Sequence, residues 1–185
     1  MGLEELFGRI EKRFGKEAVV GNEVKVDTVS SGSMAFDEIL GGGFALGRIH
    51  EIYGGFSSGK SSAALHLSAS VQKTLGKAVG YVDTEQALDL EYAKALGVDL
   101  SRDKWIMSQP DSAEQALEIA REMLEAPEIG LVVLDSVAGL VPEAVLQGEA
   151  GDAKIALVAR LMSQQLSILK NVCKKNNNIL LCINQ

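Results

Sequence analysis

Two hydrophobic periods alternate along the chain. Leu3, Leu6, Phe7, Ile10 and Phe14 recur at helical spacing with charges between them, which predicts an amphipathic helix ending near Gly15. Its apolar face must pack either on its own domain or on a neighbouring subunit. Val24, Val26 and Thr28 alternate with Lys25 and Asp27 and predict a strand. Ser30 to Ser33 reads as a loop and N-cap for a helix over Met34 to Leu40, which Gly41 to Gly43 ends. Arg48 to Tyr53 predicts a short strand, and Ser62 to Thr74, free of Gly and Pro, a helix. Ala78 to Val82 predicts a buried strand ending at Asp83, followed by a short helix over Asp89 to Leu96 closed by Gly97. Trp105 to Ser108 reads as a strand. Asp111 or Ser112 caps a helix to about Ala126, with Gln115 placed to complete a capping box. Leu131 to Leu134 is an apolar strand closed by Asp135. Gln147 to Ala153 is Gly-rich and reads as a loop. A long helix over Ala156 to Lys175 turns Leu157, Leu161, Leu166 and Leu169 inward, Asn176 to Asn178 breaks it, and Ile179 to Asn184 is a last buried strand. Strands alternating with helices predict an α/β fold with a mostly parallel sheet flanked by helices.

The chemistry concentrates between the Arg48–Tyr53 strand and the helix after it. Gly54-Gly55-Phe56-Ser57-Ser58-Gly59-Lys60-Ser61 fits G-x-x-x-x-G-K-[ST], the phosphate-binding loop, and has the strand before it and the helix after it that the motif requires. Gly54 and Gly59 open backbone conformations closed to other residues. Inward N–H groups then cradle anionic oxygens, and the helix aims its positive end at them. Lys60 supplies an ammonium for the β/γ-phosphates, and the Ser61 hydroxyl is a ligand suited to Mg²⁺. Asp135, at the end of an apolar strand, is placed either to hold that metal, usually through water, or to cap the following turn. Glu85 follows another core strand end, where parallel sheets place their chemistry; on the residues alone it is equally a solvated loop carboxylate.

Composition narrows the class. A chain of 185 residues suits one domain. Hydrophobic content of 46% and charged content of 23% are those of a soluble globular protein. The apolar run at Leu131 to Leu134 is too short to cross a bilayer. Glu4, Glu5 and Glu11 without an apolar core exclude a signal peptide, and Gly2 lacks the Ser or Thr of a myristoylation signal. Cys173 and Cys182 are the only cysteines, so no disulfide framework is indicated and a reducing cytoplasm is expected. The net charge of −7 argues against a generally basic nucleic-acid binder but leaves room for a local basic surface.

Strings beyond the phosphate loop resemble the bacterial and phage RecA recombinase family from about Ile10 to Gln185. They are Tyr81-Val82-Asp83-Thr84-Glu85-Gln86-Ala87-Leu88-Asp89, Ser108-Gln109-Pro110-Asp111, Glu114-Gln115-Ala116-Leu117-Glu118, Asp135-Ser136-Val137-Ala138, Gly148-Glu149-Ala150-Gly151-Asp152, Met162-Ser163-Gln164 and Ile183-Asn184-Gln185. The resemblance implies a RecA-like nucleotide-hydrolysing core over residues 31–185 and an N-terminal helix and strand over residues 1–30 that dock on the next subunit. It implies ATP with Mg²⁺, held by Gly54 to Ser62 with Asp89 and Tyr92 against the adenine, and Ser61 and Asp135 on the metal side. Glu85 would activate water, beside Lys60, and Gln185 would couple nucleotide state to DNA. Gly148, Gly151, Asp152, Lys154 and Ile155 match the first DNA-binding loop, with Arg160 and Ser163 on the helix behind it. The implied activity is a DNA-dependent ATPase that forms a homo-oligomeric helical filament on single-stranded DNA for homologous pairing and strand exchange.

The chain departs from the family in three places. Ser61 stands where Thr is common, and Ser167 where relatives often carry Arg. Family members continue well past the Ile183-Asn184-Gln185 strand end, so the core is expected to stop before its last strands, with the Arg48–Tyr53 strand at a sheet edge. Three readings follow: one piece of a split recombinase completed by a second polypeptide, a laboratory truncation, or a non-catalytic nucleotide-binding regulator that caps filaments of a longer relative.

Overall fold

A computed structural model describes residues 2–19, 26–148 and 153–185; the side chains of Glu17, Ala153, Lys154 and Ile155 are outside that description. The core is a five-stranded sheet in the order β3-β7-β6-β4-β5, with β3 Arg48–Tyr53, β4 Ala78–Asp83, β5 Trp105–Ser108, β6 Ile129–Asp135 and β7 Ile179–Asn184. Every neighbouring pair in it runs parallel. β4 and β7 are near-continuous apolar runs because both faces of a parallel sheet are covered. α3 (Lys60–Leu75) covers one face, where Leu65, Leu67 and Val71 pack with Val79, Tyr81, Leu131, Val133, Leu181 and Ile183. α5 (Ala113–Glu125) and α7 (Ala153–Asn176) cover the other, where Leu117, Leu124, Leu169 and Cys173 pack with Val82, Val132, Leu134 and Leu180. Each such buried Leu, Ile or Val stabilises the fold by about 1.5–3 kcal/mol. Both cysteines are free and buried, and burial pushes their thiols up, to about 11 for Cys173 and about 12 for Cys182.

Register sets the site. Tyr53 lies opposite Asn184, Ile183 opposite Asp135, and Asp135 opposite Asp83. The carboxyl ends of β3, β7, β6 and β4 therefore finish in one row, the edge at which open α/β sheets bind ligands. Among the described residues β3 is the outermost strand of the sheet on that side.

The remaining elements among the described residues are α1 (Leu3–Phe14), a 3-10 turn at Lys16–Ala18, α2 (Met34–Ile39), α4 (Leu90–Ala95), α6 (Glu143–Leu146) and the two-residue strands β1 (Thr28–Val29) and β2 (Phe44–Ala45), which pair antiparallel on either side of α2. Leu3, Phe7 and Phe14 of α1 are exposed. Four expectations change. The strand foreseen over Val24 to Thr28 is β1, starting at Thr28; Val24 lies outside the described residues and Val26 is exposed and unpaired by strand bonds. β2 and α6 were not foreseen. The last long helix starts at Ala153 rather than Ala156; Leu169 and Cys173 are its fully buried anchors and Leu161 packs half-buried against the same core, while Leu157 and Leu166 are half-buried. The capping of α5 is shared: Ser112 accepts from the Gln115 N–H at 3.2 Å, while the Gln115 side chain accepts from the Asp111 N–H at 2.8 Å, one residue earlier than a capping box requires.

Candidate active site

The loop after β3 is shaped by two glycines. A Cβ at Gly54 would meet the Ser58 Oγ at 3.0 Å, and Gly59 has a φ of +89°, in the left-handed region. Gly59 hands the chain to α3, whose first turn is cationic and carries no acidic residue, so its positive end is not neutralised from within. The Lys60 Nζ donates to the carbonyls of Gly54 and Gly55, at 2.8 Å each, and the ammonium is thereby held over the loop. Phe56 is 84% exposed at the loop tip.

Beside the loop, two residues 74 apart in sequence meet: the Ser61 Oγ donates to the Asp135 Oδ2 at 2.8 Å. The Tyr81 hydroxyl donates to the same oxygen at 2.6 Å. Burial first, and the neighbouring Asp135 carboxylate second, push the Tyr81 phenol far above its ordinary range, so it remains a donor. The Asp135 carboxylate thus faces the start of α3, its Oδ2 accepting hydroxyls from α3 and β4.

Glu85 sits in the loop after β4. Its Oε1 accepts from the Gln185 Nε2 at 2.8 Å and from the Ser136 hydroxyl. Gln185 follows β7 and Ser136 follows β6, so residues from three strand ends converge on one carboxylate. Thr84 locks this arrangement: its hydroxyl donates to the Ser136 carbonyl at 2.8 Å and accepts from the Ser136 N–H at 2.9 Å. Buried Asp83 shapes the loop from below, accepting from the N–H groups of Ala87 and Leu88 and from the Gln109 amide at 3.1 Å. A Cβ at Gly139 would lie 2.5 Å from the Thr84 Oγ1 and 3.2 Å from the Glu85 Cγ, so only glycine fits under the loop.

Asp89 caps α4 by accepting from the Tyr92 N–H at 3.0 Å, and the Tyr92 hydroxyl lies 3.1 Å from the Ser62 Oγ. The Asp89–Tyr92 pair is thereby anchored at the start of α3. Ser61, Asp83, Glu85, Asp89, Tyr92 and Asp135 line one cavity of about 170 Å³. A roomier cavity of about 660 Å³ lies between β3 and α7, lined mainly by apolar groups such as Val158, Met162 and Leu166, and holds none of the phosphate-loop residues.

The second candidate set lies elsewhere. Gly148, with φ +102°, ends the turn after α6. Gly151 and Asp152 lie outside the described residues; Lys154 and Ile155 fall in the first turn of α7. Arg160 and Ser163 are exposed on α7, three residues apart and so on one face.

The donors fit a magnesium nucleotide. A hydroxyl and a carboxylate in contact, a tethered ammonium, a glycine-opened loop and an unneutralised helix end are what triphosphate and a hard cation need. A family model described as the RecA N-terminal domain matches residues 2–185.

The chain belongs to the RecA family.

Protein RecA of Latilactobacillus sakei is 50% identical over 188 residues, covering 99% of this chain and 52% of that protein. Protein RecA of Lactobacillus delbrueckii subsp. bulgaricus is 50% identical over 99% of this chain and 56% of its own length, and that of Clostridium botulinum 47% identical over 99% and 52%. The chain spans about half the length of the RecA relatives it matches. No helix among the described residues is long and apolar enough to cross a membrane. Tyr81, Asp83, Gln109 and Ser136, which bind Asp135 or frame Glu85, were not singled out from the sequence as site residues. Three of them lie inside the RecA-like strings beside Asp135 or Glu85, and that adjacency was the available signal.

Proposed function

We propose that this chain is the nucleotide-hydrolysing core of a DNA-dependent recombination ATPase. It acts in the cytoplasm within a homo-oligomeric helical filament on single-stranded DNA, which pairs that strand with homologous duplex and exchanges strands. The observation that carries the reading is the contact of Glu85 with Gln185 and Ser136, next to the Ser61–Asp135 pair and the Lys60 loop.

Each residue then has a task. The Gly54–Ser62 backbone and the α3 N-terminus bind the phosphates, and Lys60 moves its ammonium from the loop carbonyls to the β/γ-phosphate oxygens. Ser61 and Asp135 would hold Mg²⁺, which supplies charge neutralisation of the phosphates and of the leaving oxygen. Asp89 and Tyr92 receive the base. Glu85 orients a water and accepts its proton as the water attacks the γ-phosphorus, and the bond to the β,γ-bridging oxygen breaks. Gln185 senses this: a γ-phosphate competes with Glu85 for its amide, so the Gln185 side chain reports nucleotide state to the chain beyond β7. Gly148, Gly151, Asp152, Lys154, Ile155, Arg160 and Ser163 form the DNA-facing set.

The test is ATP hydrolysis with and without single-stranded DNA, for the native sequence and for Glu85→Gln. The native chain hydrolyses faster with DNA. Glu85→Gln keeps Mg-ATP affinity and loses roughly 10²- to 10⁴-fold in turnover, the range of a general base. Glu85→Gln turning over at the native rate contradicts the assignment.

A further inference from the structure

Tyr81 is an oddity in its strand. β4 is otherwise Ala, Val, Gly and Val until its terminal Asp83, and all six residues are buried. Strand alternation puts Val79, Tyr81 and Asp83 on the face toward α3, and Leu131, Val133 and Asp135 on the same face of β6. Tyr81 is opposite Val133, so Asp135 is its diagonal neighbour, two residues further along β6. A Phe would fill the same space. The extra hydroxyl donates to the Asp135 Oδ2 at 2.6 Å, with the Ser61 hydroxyl beside it. The ring cannot wander: Tyr81 is fully buried and its ring packs on Trp105 with centroids 5.5 Å apart. Ser61, the other donor to that oxygen, is exposed at the start of a helix and has a second task as a cation ligand.

We infer that Tyr81 is a positioning residue of the metal site: its buried hydroxyl fixes the Asp135 carboxylate in the orientation a cation needs, before the cation arrives. The inference rests on the reading of Ser61 and Asp135 as the metal pair. Were Ser61 to give its hydroxyl to a cation, Tyr81 would still hold the Asp135 Oδ2 and so the orientation of the carboxylate. Outer partners of this kind orient metal-binding groups, and their loss weakens metal binding by about 10–100-fold. The sequence hides the role because the contact joins residues on different strands, 54 apart.

The test measures binding of a non-hydrolysable ATP analogue as Mg²⁺ is varied, in the native chain and in Tyr81→Phe, Asp135→Asn and the double variant. Tyr81→Phe raises the half-saturating Mg²⁺ concentration by about tenfold, leaves affinity for the metal-free analogue unchanged, and adds no shift in the Asp135→Asn background. An unchanged Mg²⁺ dependence, or an equal shift in that background, overturns the inference. Binding by the native chain that ignores Mg²⁺ overturns the metal reading instead. If Tyr81→Phe does not fold, 3-fluorotyrosine at position 81 gives the answer in the otherwise native chain. Its fluorine resonance moves when Mg²⁺ joins the bound analogue; a resonance indifferent to Mg²⁺ overturns the inference.

Discussion

Asp37 shows how much one exposed carboxylate can organise. Its oxygens accept from the Ser30 hydroxyl and, at 2.7 Å, from the Ser31 N–H, tying the loop before α2 onto the helix. The Ser30 hydrogen bond, followed by those of Ser31, lowers its pKa below the ordinary 3.8. A depressed carboxylate contributes stability that is present above its unfolded value and fades as pH falls through its folded value. Acid titration by circular dichroism should therefore show the native chain losing this contribution only below about pH 3.8. Asp37→Asn should be less stable at neutral pH and lack that part of the acid slope; an unaltered slope would contradict the role. At this scale a local motif and a strand end pointed to Lys60, Ser61 and Asp135, whereas Glu85 stood out only through the family resemblance. Tyr81 and Ser136 were not legible, since their meaning lies in partners 54 and 51 residues away.

Among the elements, the strands declared themselves through apolar runs bracketed by turn residues. β3, β5 and β7 begin and end where those runs do. The two-residue strands β1 and β2 are too short to show a period, and four-residue α6 covers little more than one turn. α7 misled in its inward face. Its leucines recur at helical spacing, yet its first half borders the apolar cavity beside β3 and is only partly covered. The turn after β6 carries a sharper consequence. Gly139 supports Thr84 and Glu85 from beneath, and a methyl group there would lie 2.5 Å from the Thr84 Oγ1. Gly139→Ala should lower turnover by about tenfold to 100-fold by displacing Glu85, while nucleotide affinity holds, since the phosphate loop is on another strand. Single-turnover and equilibrium binding measurements separate the two; equal loss of both would mean the turn supports the whole site.

For the whole molecule, a net charge of −7 and a DNA partner are compatible only if cations are gathered where the strand runs. Arg160, exposed on α7, is the cation proposed for such a surface. Arg160→Ala should weaken single-stranded DNA binding for all sequences alike and flatten the log–log salt dependence by about 0.7; an unchanged slope would remove Arg160 from the interface. The site itself belongs to the sheet as a unit, because four strand ends in one row bring Lys60, Gln185, Asp135 and Glu85 together. The central claim is that a magnesium triphosphate lies on the turn between β3 and α3. Calorimetric titration of Mg-ATP into the native chain and into Lys60→Ala tests it most directly. One nucleotide should bind per native chain, and Lys60→Ala should bind at least about tenfold more weakly, the loss of a charge-assisted contact. Lys60→Ala binding Mg-ATP as tightly as the native chain would contradict it.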